Sequence, residues 1–429
     1  MNIGTDRDDG LLIYGGFAFS LAVVIAICRP WDLTDHFMVG APFGRDFVNY
    51  WMGGRLALDG QLDLLTDLRT YNALIVERFG HSADDFFVFS YPPSLLPFLV
   101  PFGALPYLPA LIAWTTINLG LLIWSARLIG ADRRALVATA LAPATLTMVV
   151  YGQFSGAIAA LAIAATTRGA RRPALAGLCL ALMTVKPQLA AAVGLLMLLI
   201  GQWRAIAWSV AGALGLSGLS VLLLGLTPWR DFLHVTVPFE VWLIHEFILD
   251  HLRNTLSLYA AARLAGLSFI AAQVVQTAFA LAAIAGAVLL TWRDGLNPRT
   301  LTLLLLAGIA GLAYFQNYDL AIVVPALSVA LFAGDRDEGT ERRPLLPFVP
   351  ACLLWVAPAL SIASGFYHSP VINLVLAGVL ALGLVTRARR ECSEIGLVAI
   401  DVGTSQSTEA PSRSSTATAD AGSMQGSSA

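Results

Sequence analysis

Long apolar runs recur along the chain from residue 11 to residue 386, separated by short polar stretches and two longer ones. A helix crossing about 30 Å of hydrocarbon needs roughly 20 mostly apolar residues. The runs therefore predict membrane-spanning helices over 11–28, 107–126, 135–151, 154–167, 173–185, 187–201, 204–225, 268–291, 300–315, 318–333, 345–363 and 370–386. Apolar pieces at 94–105 and 256–266 are shorter and read as re-entrant or interfacial segments. This pattern predicts an all-α integral membrane fold, a polytopic bundle of about twelve transmembrane helices over residues 1–392. From about residue 401 the chain turns rich in Ser, Thr, Ala and Gly, with little to bury, so 393–429 are expected to be a disordered cytoplasmic tail.

The connections between spans set the orientation. Arg127, Arg133 and Arg134 share one, Arg168, Arg171 and Arg172 another, and Arg293 and Arg299 a third. Arg336, Arg342 and Arg343, then Arg387, Arg389 and Arg390, continue the series. With twelve crossings all lie on the side of the N-terminus, which the positive-inside rule makes cytoplasmic. The long loops 29–93 and 227–255 then face outward, as do the short polar turns Tyr151-Gly152-Gln153, Lys186-Pro187-Gln188 and Gln316-Asn317-Tyr318-Asp319. Within loop 29–93, Arg55–Leu58 and Tyr71–Phe79 mix apolar and charged residues and predict short helices lying on the membrane surface.

Composition supports this reading: 57 % of residues are hydrophobic, 13 % charged, and the mean hydropathy is +0.73. A net charge of −2 gives no reason to expect nucleic acid as a partner. Four scattered cysteines (Cys28, Cys179, Cys352, Cys392) show no metal or disulfide spacing. Residues 11–28 lack a small-x-small cleavage site and read as a retained first helix. The Ala and Gly abundance, with 25 Arg to one Lys, suggests a high-GC bacterial genome and a bacterial inner membrane.

Ionisable residues near a bilayer are costly and usually serve a pathway or a bound charge. Arg45 and Asp46, followed by Tyr50 and Trp51, lie just beyond the first span and look like the rim of a reaction chamber. An interfacial anchor would use the same residue types. Pro92 and Pro93 fix Tyr91 at the next apolar segment, although Pro-Pro also simply starts helices. Lys186, the sole lysine, stands between two apolar runs, either as a site cation or snorkelling to the interface. Gln153 interrupts another run and serves either a cavity or a helix–helix hydrogen bond. Gln188, Asn317, Tyr318 and Asp319 occupy turns on the same side. Asp250, His251, Arg253 and Asn254 concentrate acid, imidazole, guanidinium and amide at the end of the second long loop.

The order of these motifs resembles the family 87 membrane glycosyltransferases, over roughly residues 40–330. That family includes polyprenyl-phosphate-mannose-dependent α-1,2-mannosyltransferases and related arabinofuranosyltransferases. The motifs are Asp46 with its aromatics, Tyr91-Pro92-Pro93, Tyr151-Gly152-Gln153, Ala176-Gly177 leading to Lys186-Pro187, and Asn254-x-x-Ser257. The resemblance implies a C-type glycosyltransferase fold with Asp46 as catalytic base. Family members often carry His near Gln316–Asp319, and this chain has none there. The implied reaction moves a sugar, mannose by resemblance, from a polyprenyl-phosphate carrier to a glycolipid or glycan hydroxyl at the outer leaflet, with inversion. Arg45, Lys186, Arg253 and His251 would hold the donor phosphate. Tyr50, Trp51, Tyr91, Gln153, Gln188, Asn254, Asn317, Tyr318 and Asp319 would contact sugar or acceptor. No metal or other cofactor is called for, and membrane lipid is the remaining partner. Arabinofuranosyl or other pentosyl transfer is the alternative within this mechanism. A secondary transporter would also hold charge inside a bundle, but it normally shows two related halves, and no matching motif order appears here. An envelope assembly protein would use the polar residues only as anchors.

Overall fold

The architecture comes from a computed structural model, which describes residues 10–28, 44–79, 87–246, 255–333, 355–361 and 378. The described residues before Val385 belong to one compact unit, Met1–Leu384. The expected tail, and most of the spans expected at 345–363 and 370–386, lie outside the described residues.

After a π-turn at Leu11–Gly15 comes α1 (Gly16–Cys28), then α2 (Arg45–Leu58), α3 (Leu68–Phe79) and α4 (Leu96–Gly103). Next are α5 (Tyr107–Leu128), α6 (Arg133–Leu141), α7 (Pro143–Tyr151), α8 (Ser155–Arg168), α9 (Pro173–Leu182), α10 (Pro187–Leu199) and α11 (Trp203–Leu224). The short α12 (Thr227–Asp231) leads to α13 (Val237–Glu246), α14 (Leu258–Leu264), α15 (Phe269–Asp294), α16 (Pro298–Ala310) and α17 (Val324–Phe332). Among the described residues there is no strand, only one isolated bridge between Thr255 and Gln316.

Three helices, α5, α11 and α15, are long and apolar enough to cross a membrane, and α6 with α7 adds a fourth if that pair, bent by 46°, is one span. The remaining expected crossings appear as apolar helices of 10–17 residues or as broken pieces, so the described residues do not present twelve full-length spans. Prolines explain much of this. Pro143, Pro173, Pro187 and Pro298 each stand at the first position of a helix, where a missing N–H costs nothing. Ala142, just before Pro143, is extended (φ −61°, ψ 142°), which ends α6 and starts α7. Large side chains of α11 point outward, with Leu214 69 % and Leu222 84 % exposed. In a chain this apolar, such a face belongs against lipid.

The first loop differs from the surface helices expected there. The helix begins at Arg45, well before Arg55, and every residue from Phe47 to Gly54 is buried, with Leu56. A helix buried on every side sits inside the protein. Two glycines make this possible. A Cβ on Gly54 would lie 2.3 Å from the Leu99 carbonyl oxygen, and one on Gly103 would lie 2.3 Å from the Arg55 nitrogen. Only hydrogen fits where α2 crosses α4. Helix α3 keeps the expected two-faced character, burying Tyr71, Ile75 and Phe79 and exposing Glu77 and Arg78.

The helix ends sort into two sets. Arg127 lies in the last turn of α5, Arg133 opens α6, Arg168 closes α8, Arg172 precedes α9, Arg293 falls in the last turn of α15, and Arg299 opens α16. Gln153 lies at the opposite end of α7 and α8, Lys186 at the opposite ends of α9 and α10, and Gln316–Asp319 beyond the far end of α16. Two contacts tie the arginine ends together: Gln202 Nε2 donates to the Thr166 carbonyl (2.7 Å) and Trp292 Nε1 to the Leu199 carbonyl (3.1 Å).

Candidate active site

Asp46 sits in the first turn of α2, where the helix dipole favours a negative charge. The preceding residue pair is set by two glycines in left-handed conformation, Gly44 (φ 76°) at the N-cap of α2 and Gly152 (φ 68°) at the C-cap of α7. The Gly44 N–H donates to the Val150 carbonyl (2.6 Å), docking the start of α2 on the end of α7. Tyr107 Oη donates to the Gly44 carbonyl (3.1 Å), and Trp114 Nε1 to the Gly152 carbonyl (2.9 Å), so α5 clamps both turns. A Cβ on Gly152 would fall 2.7 Å from the Phe47 Cβ. This contact brings Asp46 beside Gln153.

A continuous polar network follows. Gln153 Nε2 donates to Asp46 Oδ2 (2.7 Å), and Gln153 Oε1 accepts from Tyr50 Oη (2.8 Å) and from Lys186 Nζ (3.1 Å). Lys186 Nζ also donates to Asp319 Oδ1 (3.0 Å), whose other carboxylate oxygen accepts from the Gln316 N–H (3.0 Å). The hydroxyls of Tyr50 and Tyr91 are 2.6 Å apart. Arg45 Nη1 lies 3.3 Å from Asp46 Oδ1. Lys186 is 4 % exposed, Gln153 2 % and Asp319 4 %, whereas the Asp46 and Arg45 side chains are 14 % and 27 % exposed. The carboxylate is therefore reachable while its supports are enclosed.

Aromatic rings wall the cluster. Lys186 Nζ lies 5.0 Å from the Phe154 ring centre and 5.1 Å from that of Tyr318. Tyr50 packs against Tyr91, Trp114 and Phe154 with centroids 5.1–5.2 Å apart. Burial first, then Tyr91 and the Asp46 carboxylate, pushes the Tyr50 phenol well above its ordinary value, and burial with Asp46 does the same to Tyr91. Both phenols stay protonated and available as donors.

Of the residues picked from sequence, Arg45, Asp46, Tyr50, Tyr91, Gln153, Lys186, Tyr318 and Asp319 meet here. Others do not. Trp51 is 1 % exposed, its ring packed edge-to-face with Phe79 and Tyr107, covered by the Arg78 guanidinium (4.5 Å) and bonded through Nε1 to the Leu105 carbonyl. It is packing and presents no face to a sugar. The Tyr50 ring is likewise fully enclosed, so only its hydroxyl takes part. Gln188 is exposed on the first turn of α10, outside the network. Asn317 is 0 % exposed, and neither polar atom of its side chain has a hydrogen-bond partner. Lys186, expected as a free phosphate-binding cation, is already paired with Asp319. His251, Arg253 and Asn254 lie outside the described residues.

Sequence reasoning passed over Glu240. Its carboxylate accepts from Ser90 Oγ, one residue from Tyr91, and joins α13 to the segment that precedes α4. Burial pushes this carboxyl up, opposed by the Ser90 hydrogen bond. The signal was present: one carboxylate inside the apolar run Phe239-Glu240-Val241-Trp242-Leu243-Ile244. Thr255 was also missed. It pairs with Gln316 through the isolated bridge, and the Leu256 N–H donates to the Phe315 carbonyl (3.1 Å), anchoring the turn that carries Asp319. Among the described residues no group of His, Cys, Asp and Glu is arranged to hold a metal ion.

Fold and cluster together define a class, a helical membrane protein with a buried ionic network at one end of its helices. Residues 89–315, more than half of the chain, match glycosyltransferase family 87, and the chain belongs to that family. No curated protein and no solved structure matches it. The protein is thus a glycosyltransferase, acting on a sugar donor and an acceptor. The matched stretch is narrower than the 40–330 expected. It contains Tyr91, Gln153 and Lys186 but leaves out Arg45, Asp46 and Asn317–Asp319.

Proposed function

We propose that the protein transfers one sugar from a polyprenyl-phosphate carrier to an acceptor hydroxyl, with Asp46 as the catalytic base. The observation that carries this reading is the Asp46 carboxylate itself, held through Oδ2 by Gln153 and still partly exposed. The acceptor oxygen attacks the anomeric carbon as its proton passes to Asp46. The bond from that carbon to the phosphate oxygen breaks, and polyprenyl phosphate leaves with the electron pair. One displacement from the face opposite the leaving group inverts the anomeric centre. Arg45 is the cation best placed for the departing phosphate, since its guanidinium is partly exposed and lies 5.0 Å from the Phe87 ring centre. The network sits at the helix ends opposite the arginine-bearing turns. The positive-inside rule assigns those turns to the cytoplasm and the network to the outer face. A lipid-linked donor suits that face, because nucleotide sugars are cytoplasmic.

The test is turnover by protein reconstituted in nanodiscs, offered radiolabelled polyprenyl-phosphate mannose or polyprenyl-phosphate arabinofuranose with glycolipid acceptors. Asp46→Asn is expected to lower kcat by about 10²–10⁴-fold, the usual contribution of a positioned base. Full activity of that variant would refute the assignment. Turnover of the arabinosyl donor alone moves the reading to pentosyl transfer.

A further inference from the structure

The Gln153 side chain was expected among the sugar contacts, yet its hydrogen-bonding capacity is largely committed to protein. An ammonium can only donate and an ionised carboxylate can only accept. The carbonyl of the amide must therefore face Lys186, and its NH₂ must face Asp46, so chemistry alone fixes the orientation. Both lone pairs of Oε1 are occupied, by Lys186 (3.1 Å) and Tyr50 (2.8 Å). Because Tyr50 gives its one proton to that oxygen, the short contact with Tyr91 requires Tyr91 to be the donor. Every hydrogen bond on this side runs toward Gln153 Oε1, and the amide passes one on to Asp46 Oδ2 (2.7 Å). Asp319 in turn fixes Lys186.

We propose that Gln153 is a positioning residue for the base, and that Lys186 and Asp319 act on Asp46 through its amide without touching the donor phosphate. This rests on the reading of Asp46 as the base. The cation at Oε1 polarises the amide, which strengthens its N–H···Oδ2 hydrogen bond and holds the carboxylate in place. With Oδ2 engaged by Gln153, Oδ1, which Arg45 approaches at 3.3 Å on one side, is the oxygen that receives the incoming hydroxyl. The two enclosed charges thereby support catalysis from behind the amide. Lys186 at 4 % exposure has no surface to offer a phosphate.

Kinetics separate this role from sugar binding and from simple structural support. Gln153→Glu keeps size but, ionised beside Lys186, no longer donates to Asp46, and Gln153→Met keeps length without polarity. Both are expected to lower kcat by about 10–100-fold, the worth of a hydrogen bond to a charged group, with the donor KM little changed and wild-type gel-filtration behaviour retained. The double variant Lys186→Met/Asp319→Asn keeps the interior neutral and removes the Nζ donor. It is expected to show the same lowered kcat at unchanged donor KM. A raised donor KM with kcat intact in the Gln153 variants makes Gln153 a sugar contact, and in the double variant it makes Lys186 a phosphate contact. Either result overturns the proposal. Wild-type kcat in the Gln153 variants, beside an inactive Asp46→Asn, defeats the positioning role alone. An active Asp46→Asn defeats the base reading beneath it.

Discussion

At the scale of single residues, the Lys186–Asp319 pair governs what substitution will do. The two side chains are 5 % and 6 % exposed and 3.0 Å apart. Removing one partner of such a buried pair leaves an uncompensated charge, which typically costs about 3–5 kcal/mol. Lys186→Met alone is therefore expected to unfold at markedly lower temperature in detergent, as read by the loss of monodisperse protein on heating. Adding Asp319→Asn should restore most of that loss. Lys186 stood out in the sequence because a lone lysine between apolar runs demands a reason. Asp319 was picked only as a sugar or acceptor contact, and its pairing with Lys186 was not legible, because 133 positions separate the two. Gln188 illustrates the opposite error. It is two residues from Lys186 in sequence, but Pro187 opens α10 between them and turns Gln188 outward.

Elements are placed by close backbone approach more than by large side chains. The α2–α4 crossing admits no Cβ on Gly54 or Gly103. Gly54→Ala and Gly103→Ala should each cost about 1–3 kcal/mol or more through overpacking, and should cut transfer by shifting the helix that carries Asp46. Gly120→Ala, where nothing lies within 4 Å, serves as the control and should leave both stability and turnover intact. Thermal unfolding in parallel with turnover checks the set. Most helix boundaries were legible in the hydropathy pattern, for example α5, α11 and α15, each within three residues at either end. Helix α2 was not. Arg45, Asp46, Asn49 and Arg55 dilute its apolar content, and the crossing partners that bury it, Leu99 and Gly103, lie beyond the next helix in sequence.

For the molecule as a whole, the sorting of helix ends makes a prediction about sidedness. In a chain stripped of Cys28, Cys179, Cys352 and Cys392, a cysteine at the exposed position of Gln61 should react with a membrane-impermeant maleimide added to intact cells. A cysteine replacing the exposed Arg171 should react only after permeabilisation. The reverse pattern would put the network in the cytosol and remove the argument for a lipid-linked donor. The outward apolar face of α11 adds a second expectation. Leu214→Arg, at the middle of α11, should impair membrane insertion, since a charge at a helix centre costs about 2.5–3.5 kcal/mol, while Leu214→Ala should be accommodated. Counting of stable membrane-integrated protein after alkaline extraction distinguishes them.

The enclosure of Lys186 has a practical corollary. No other side chain in the protein bears a primary amine, and this one is shielded by Phe154, Tyr318 and its carboxylate neighbour. An acylating reagent such as an N-hydroxysuccinimide ester should leave folded side chains unmodified and tag position 186 as the bundle opens. Lys186 thus serves as the single side-chain clock for unfolding, readable by mass spectrometry of its own peptide without any introduced label.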